Sequence, residues 1–111
     1  MIEEKLIAFL NENGEAPAFG AFPDTEPDNF YLVERSGGGS EPGLDRAILT
    51  IMSYAPNRYA SASLDYALRG DMLRFYERGD VAHVRHVSSC CLADPRTKRE
   101  RYQAVYEVYS Y

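Results

Sequence analysis

The chain contains no tryptophan, two histidines and two cysteines in 111 residues. The cysteines are neighbours, Cys90 and Cys91. Adjacent cysteines rarely bridge each other, because the ring they close is strained. They staple no distant segments and read as two reduced thiols. No apolar run approaches the roughly 20 residues that span a bilayer, so no membrane partner is expected. Basic residues are in the minority, 12 Lys and Arg against 17 Asp and Glu, for a net charge of −5. That balance argues against a specific nucleic-acid partner held by a basic surface. Glu3 and Glu4 stand close behind Met1, where a secretory signal would carry basic residues, so a cytosolic, unexported chain is expected.

What the chain does contain is ordinary for a soluble globular protein: 45% apolar and 26% charged residues. Its length fits a single domain, 1–111, with a modest core. There are 9 tyrosines, and Tyr76, Tyr102, Tyr106, Tyr109 and Tyr111 crowd the C-terminal third. Tyrosine combines strand preference with a polar tip and suits partly wet surfaces and interfaces.

Residues 2–12 read as a helix, because Ile2, Leu6, Phe9 and Leu10 recur at three- and four-residue spacing. Glu3 and Glu4 lie in its first turn, where the helix dipole favours anions. Asn13-Gly14 is its stop signal. Three prolines in 15–29 exclude a helix there. "AFGAF" suits a short strand with Phe19 and Phe22 as anchors, and "PDTEPDN" an exposed acidic turn. Residues 30–35 read as a strand, with Phe30, Leu32 and Glu34 on one face and Tyr31, Val33 and Arg35 on the other. Residues 45–54 read as a second strand, apolar on both faces and therefore central in a sheet or covered by an interface.

Ala55-Pro56-Asn57 breaks that strand. Residues 58–77 read as the main helix, with a stripe of Ala60, Leu64, Ala67, Leu68, Asp71, Met72 and Phe75. Gly70 inside it costs roughly 1 kcal/mol against Ala, which implies close packing or a bend. Residues 81–88 and 97–109 read as strands, joined by a loop over 89–96. The order is α-(β)-β-β-α-β-β. Paired strands separated by a helix predict an α+β fold, an antiparallel sheet of four to five strands with two helices on one face.

"SGGGSEPG", residues 36–43, is the most unusual stretch. A phosphate-binding loop needs Lys and Ser or Thr after its glycines and a helix behind them. Here Lys is missing and a strand follows, which also rules against a dinucleotide fingerprint. A domain linker fails because neither flank is long enough to be a domain. A long, flexible hairpin tip remains. It is longer than a turn requires, so Ser36, Gly37, Gly38, Gly39 and Ser40 are candidate subunit contacts.

His83 and His86 stand three apart, which on a regular strand points them to opposite faces, so they form no chelating pair. His86, Ser88 and Cys90 would share a face. Neither cysteine sits in a nucleophile motif. No catalytic, metal or cofactor constellation is expected. The basic run Arg96, Lys98, Arg99, Arg101 and the acidic run Asp24, Glu26, Asp28 carry opposite charge. Opposite patches on one chain suit head-to-tail assembly, and Asp24, Glu26, Asp28, Arg99 and Arg101 join the candidate contacts.

The helix "MIEEKLIAFLNEN", the segment "APAFGAFPDTEPDNFYLVE", the strand "DRAILTIMSYA", the helix start "YASASLDYALRGDMLRF" and the final strand "KRERYQAVYEVYSY" follow one another in a familiar order. That order, with local wording such as "FP…P…FYLVE", resembles the small head–tail joining or tail-completion (tail terminator) proteins of tailed phages and prophages of Gram-positive bacteria. The resemblance spans nearly the whole chain. It implies a non-enzymatic virion structural protein with a tail-terminator-like fold. It further implies a monomer in solution that forms a six-membered ring, with tail-tube and head-connector proteins as partners. The place implied is the host cytoplasm during assembly and then the head–tail junction of the virion. Loops of that family reach neighbouring rings or tubes, and Ser36–Leu44 is the matching loop here. The alternative is a small ligand-binding module or enzyme, which needs a pocket gathering His83, His86 and Cys90.

Overall fold

The computed structural model describes residues 2–78, 80–93 and 100–111. Seven elements follow in order: α1 (Ile2–Asn13), β1 (Ala18–Phe19), β2 (Phe30–Glu41), β3 (Leu44–Tyr54), α2 (Arg58–Tyr76), β4 (Val81–Ala93) and β5 (Glu100–Ser110). The strands form one sheet in the order β1-β2-β3-β5-β4. The four long strands pair antiparallel, but β1 runs parallel to β2. The sheet is therefore mixed, where an antiparallel one was expected. Both helices pack on one face, as the α+β reading anticipated.

Local signals explain most element ends. The Gly14 N–H donates to Leu10 O at 2.8 Å. A side chain at Gly14 would stand 2.7 Å from that same carbonyl, so α1 stops there. Asn11 then pins β1 on both sides: its Nδ2 donates to Ala18 O at 3.0 Å and its Oδ1 accepts from Ala18 N at 2.9 Å. A two-residue strand has too few ladder bonds to hold itself; Asn11 and the Tyr31 N–H, which donates to Pro17 O at 2.8 Å, supply the rest. At the start of α2, the Asn57 side chain accepts from Ala60 N at 2.8 Å, an N-cap that satisfies one orphan donor.

The main core lies between helices and sheet. Leu6, Phe9 and Leu10 of α1 and Leu64, Leu68, Met72 and Phe75 of α2 meet Tyr31, Val33, Leu49, Ile51, Ala104, Tyr106 and Val108 of the sheet. Phe9 and Phe75 touch ring to ring, with centroids 5.4 Å apart, and lock the two helices together. Strand alternation delivers these residues to one face. The opposite face holds a smaller cluster, Phe30, Leu32, Met52 and Tyr54. The rings of Phe30 and Tyr54 stack at 4.7 Å and 4°. Phe22 rests edge-on against both, and Phe19 against Phe30. The two anchors thus hold the proline segment on this second cluster.

Two differences from the sequence reading matter for function. The glycines do not form a hairpin tip. β2 runs through them to Glu41, pairing Gly37 with Ile48, Gly38 with Ala47 and Gly39 with Arg46, after a bulge at Ser36. The turn is only Pro42-Gly43, with Gly43 at φ +80°, a Pro-Gly order suited to a type II turn. Side chains from distant positions make this strand. Arg35 Nε donates to Gly37 O at 3.3 Å, Ser36 Oγ to Ile48 O at 3.2 Å and Thr50 Oγ1 to Ser36 Oγ at 3.1 Å. Secondly, Gly70 is not closely packed: a Cβ there would meet nothing within 4 Å.

Candidate assembly surfaces

The sheet order leaves two borders. One is β4, thirteen residues long, with no strand beyond it among the described residues. The other is β2, which β1 covers only at Tyr31 and Leu32. From Val33 to Glu41 it is paired with β3 on one side, and no described strand lies on its other side. Unpaired strand edges carry rows of free N–H and C=O groups and are ready templates for another chain. Ser36, Gly37, Gly38, Gly39 and Ser40 all lie on this second border. Gly37 is half-buried and the other four are exposed.

The remaining candidate contacts lie at the other end of the sheet. Asp24, Glu26 and Asp28 follow Phe22, whose ring is 5.7 Å from that of Tyr54. Arg101 reaches the same tyrosine, with Nη1 donating to Tyr54 Oη at 2.9 Å and its guanidinium 5.9 Å over the ring. Phe22 and Arg101 thus converge on one aromatic residue. Arg96, Lys98 and Arg99 lie outside the described residues.

The face of the sheet turned away from the helices is laced by charge. Glu107 of β5 accepts from Arg46 Nε at 2.9 Å and from Arg85 Nε at 3.3 Å, tying three adjacent strands. The Arg46 hydrogen bond first, then Arg85, hold the Glu107 carboxyl below its ordinary range.

β4 breaks the alternation that the sequence predicted. A bulge between His86 and Ser88 moves Ser88 and Cys90 to the face opposite His86, so the three do not share one. Cys90 pairs with Gln103 on the open side. His83 sits between the rings of Tyr76 and Tyr109, at 6.2 and 6.1 Å. Among the described residues His83, His86 and Cys90 are not gathered in one place, since His86 pairs with Tyr106 on the helix-facing side and Cys90 does not. The same bulge brings Ser89 beside His86 instead: Nε2 and Ser89 Oγ are 2.7 Å apart, and Ser89 Oγ donates to Asp65 Oδ1 of α2 at 3.4 Å. Asp65 is 3% exposed and bridged to Arg69 at 3.7 Å. Burial pushes its carboxyl above the ordinary range. The hydroxyl stands between imidazole and carboxylate, whereas an acyl-transfer triad needs the imidazole in the middle. This chain of contacts ties α2 to the border strand. Alternation alone could not have shown it, because the bulge is invisible without the β5 partner residues.

Among the described residues no group of three or more His, Cys, Asp and Glu side chains is arranged to hold a metal ion, and no helix is long and apolar enough to cross a membrane. Compared with known protein families and with curated proteins, the chain matches none.

Proposed function

We propose that this chain is a structural subunit that works by self-association, of the kind that completes a phage tail or joins it to the head. The observation that carries the proposal is the sheet with unlike borders at its two sides. A contact between the β2 border of one copy and the β4 border of the next is head-to-tail, and such contacts close into rings when the rotation allows. Added strands bring main-chain hydrogen bonds, and neighbouring side chains set the register. The open face supports the same reading. Its centre holds the half-buried Ile48 and Val105 among charged and aromatic neighbours, and the mix suits a contact formed after folding. The rival reading, a small enzyme or binding module, would need convergent polar groups in a cavity. The bulge in β4 separates the groups on which it depended.

The test is size against concentration. Native mass spectrometry of the chain with the major tail-tube protein encoded beside it should give a closed oligomer, six copies on the family resemblance. Genes for portal, capsid and tape-measure proteins in the same neighbourhood should accompany it. A gene neighbourhood of metabolic enzymes would sink the proposal.

A further inference from the structure

Among the described residues, every basic side chain but one is paired with a carboxylate. The exception is Arg101, which is half-buried on the open face of the sheet. Its Nη1 donates to Tyr54 Oη and lies 3.2 Å from Met52 Sδ. Its Nε is buried with no acceptor. None of Asp24, Glu26 and Asp28 pairs with it. A charge drawn out of water without a counter-ion is costly, and the Nε–Nη2 edge of the guanidinium is the fork that grips a carboxylate.

A carboxylate without a partner stands on the opposite border. Glu34 is exposed and forms no ion pair with a described side chain. It lies on the stretch of β2 that β1 leaves uncovered. Alternation puts it on the open face, two residues beyond Leu32.

Strand directions fix how the two borders can meet. β2, β3, β5 and β4 alternate in direction, so β2 and β4 run opposite ways. A second copy that continues the sheet therefore lays its β2 antiparallel to β4, with the open faces on one side. Its β1 occupies the border at Tyr31 and Leu32, so β4 can pair no further than Val33. Ala93, the last residue of β4, then stands opposite Val33, and Leu92 opposite Glu34. The hydrogen bonds agree with that register. The Tyr31 N–H points away from β3, to Pro17 O, so alternation turns Val33 outward as well. Carried across β3 and β5, the same alternation turns Ala93 outward on β4. Val33 and Ala93 become a hydrogen-bonded pair, and Glu34 and Leu92 the closer pair beside it. Arg101 is the partner of Leu92 on β5, two strand spacings, about 10 Å, from the incoming Glu34 backbone. A glutamate and an arginine side chain together span that gap over Leu92.

We propose, on the reading that copies join border to border, that Arg101 receives the Glu34 carboxylate of a second copy and that this ion pair sets the register of the join. Complementary charge selects the occupant: each group is the unpaired one on its border, and both face the same side.

The first test is sedimentation of the full chain at rising concentration. Glu34→Lys and Arg101→Glu should each weaken self-association about tenfold, and the double variant should recover most of the loss. Arg101→Gln covers the case in which Arg101→Glu fails to fold, and should also weaken association. Asp94 lies outside the described residues, and Asp94→Asn should change nothing. The second test reads the register in a chain with Cys90→Ser and Cys91→Ser. Glu34→Cys with Leu92→Cys should give disulfide-linked oligomers under oxidised glutathione, and Glu34→Cys with Ser88→Cys should give far fewer. The two positions of each pair lie on opposite borders of one chain, so a bond between them joins two copies. A wild type that associates while Glu34→Lys does so equally well, or a swap that restores nothing, overturns the ion pair and leaves the border reading standing. So does a loss in Asp94→Asn as large as that in Glu34→Lys, or cross-linking that favours Ser88. A wild type that stays monomeric at every concentration overturns both.

Discussion

Three consecutive glycines in a paired strand make different demands on the fold, and substituting them one at a time tests the β2 ladder. Gly38 sits at φ +152°, and a Cβ there would lie 2.3 Å from Arg46 O and 2.7 Å from Arg35 Nη2. The carbonyl is backbone of the neighbouring strand and cannot withdraw without breaking the ladder. Gly39 is the opposite case: nothing lies within 4 Å of its Cβ position. Gly38→Ala forces a strained backbone angle, worth roughly 1–3 kcal/mol, and adds a clash with β3. A loss of about 3 kcal/mol is therefore expected, against a total stability on the order of 5–15 kcal/mol. In a domain of this size that lowers the melting temperature by roughly 10 °C. Gly39→Ala removes a flexible residue from a strand and should gain roughly 0.5–1 kcal/mol. Urea denaturation of both variants, followed by circular dichroism, measures the pair. A flexible tip would tolerate both substitutions alike, so two variants of equal stability would refute the ladder.

Asn11→Ala removes both hydrogen bonds to Ala18 and should cost about 1–3 kcal/mol, with loss of amide protection at Ala18 in hydrogen exchange; full protection in the variant would show that β1 holds itself. Asp65 has its folded-state affinity for a proton raised by burial, so folding favours its neutral form and stability falls as pH rises through its titration. Asp65→Asn keeps the oxygen that accepts from Ser89 and should exceed the wild type in stability at pH 8, the two converging as pH falls toward about 4, the ordinary aspartate range. A variant less stable than wild type across the whole range would contradict that sign.

Period-two patterning with apolar residues on both faces made the central strand legible: β3 lies inside the sheet, and Ala47, Leu49 and Ile51 share the face toward the helices. The helix at the N-terminus was equally plain, because Ile2, Leu6, Phe9 and Leu10 form a single stripe. α2 was harder. Its second apolar line, Tyr59, Tyr66 and Leu73, blurs the periodicity that reveals the first. The triglycine misled because glycine has poor strand propensity. Its partners are Arg46, Ala47 and Ile48, and the propensity of a segment contains nothing about them. The bulges at Ser36 and near Val87 belong to the same class. Each inserts one residue, flips every later side chain and has no local sequence mark. For β4 that single step separated His86 from Cys90 and placed Ser89 against Asp65. The Asp65–Ser89–His86 contact was therefore beyond reach of spacing arguments, while the reading of Gly37–Gly39 against a nucleotide loop rested on the missing lysine and the strand that follows.

The central claim is that this chain acts by joining copies of itself through the two borders of its sheet. Hydrogen exchange on the isolated chain at rising concentration, and on the chain mixed with a phage tail-tube protein, tests it directly. The account predicts that amides of β2 from Val33 to Glu41 and of β4 from Val81 to Ala93 gain protection together as oligomers form, while the inner strands β3 and β5 change little. Oligomers that leave both borders unprotected, or a chain that stays monomeric at every concentration with its partner present, would contradict it.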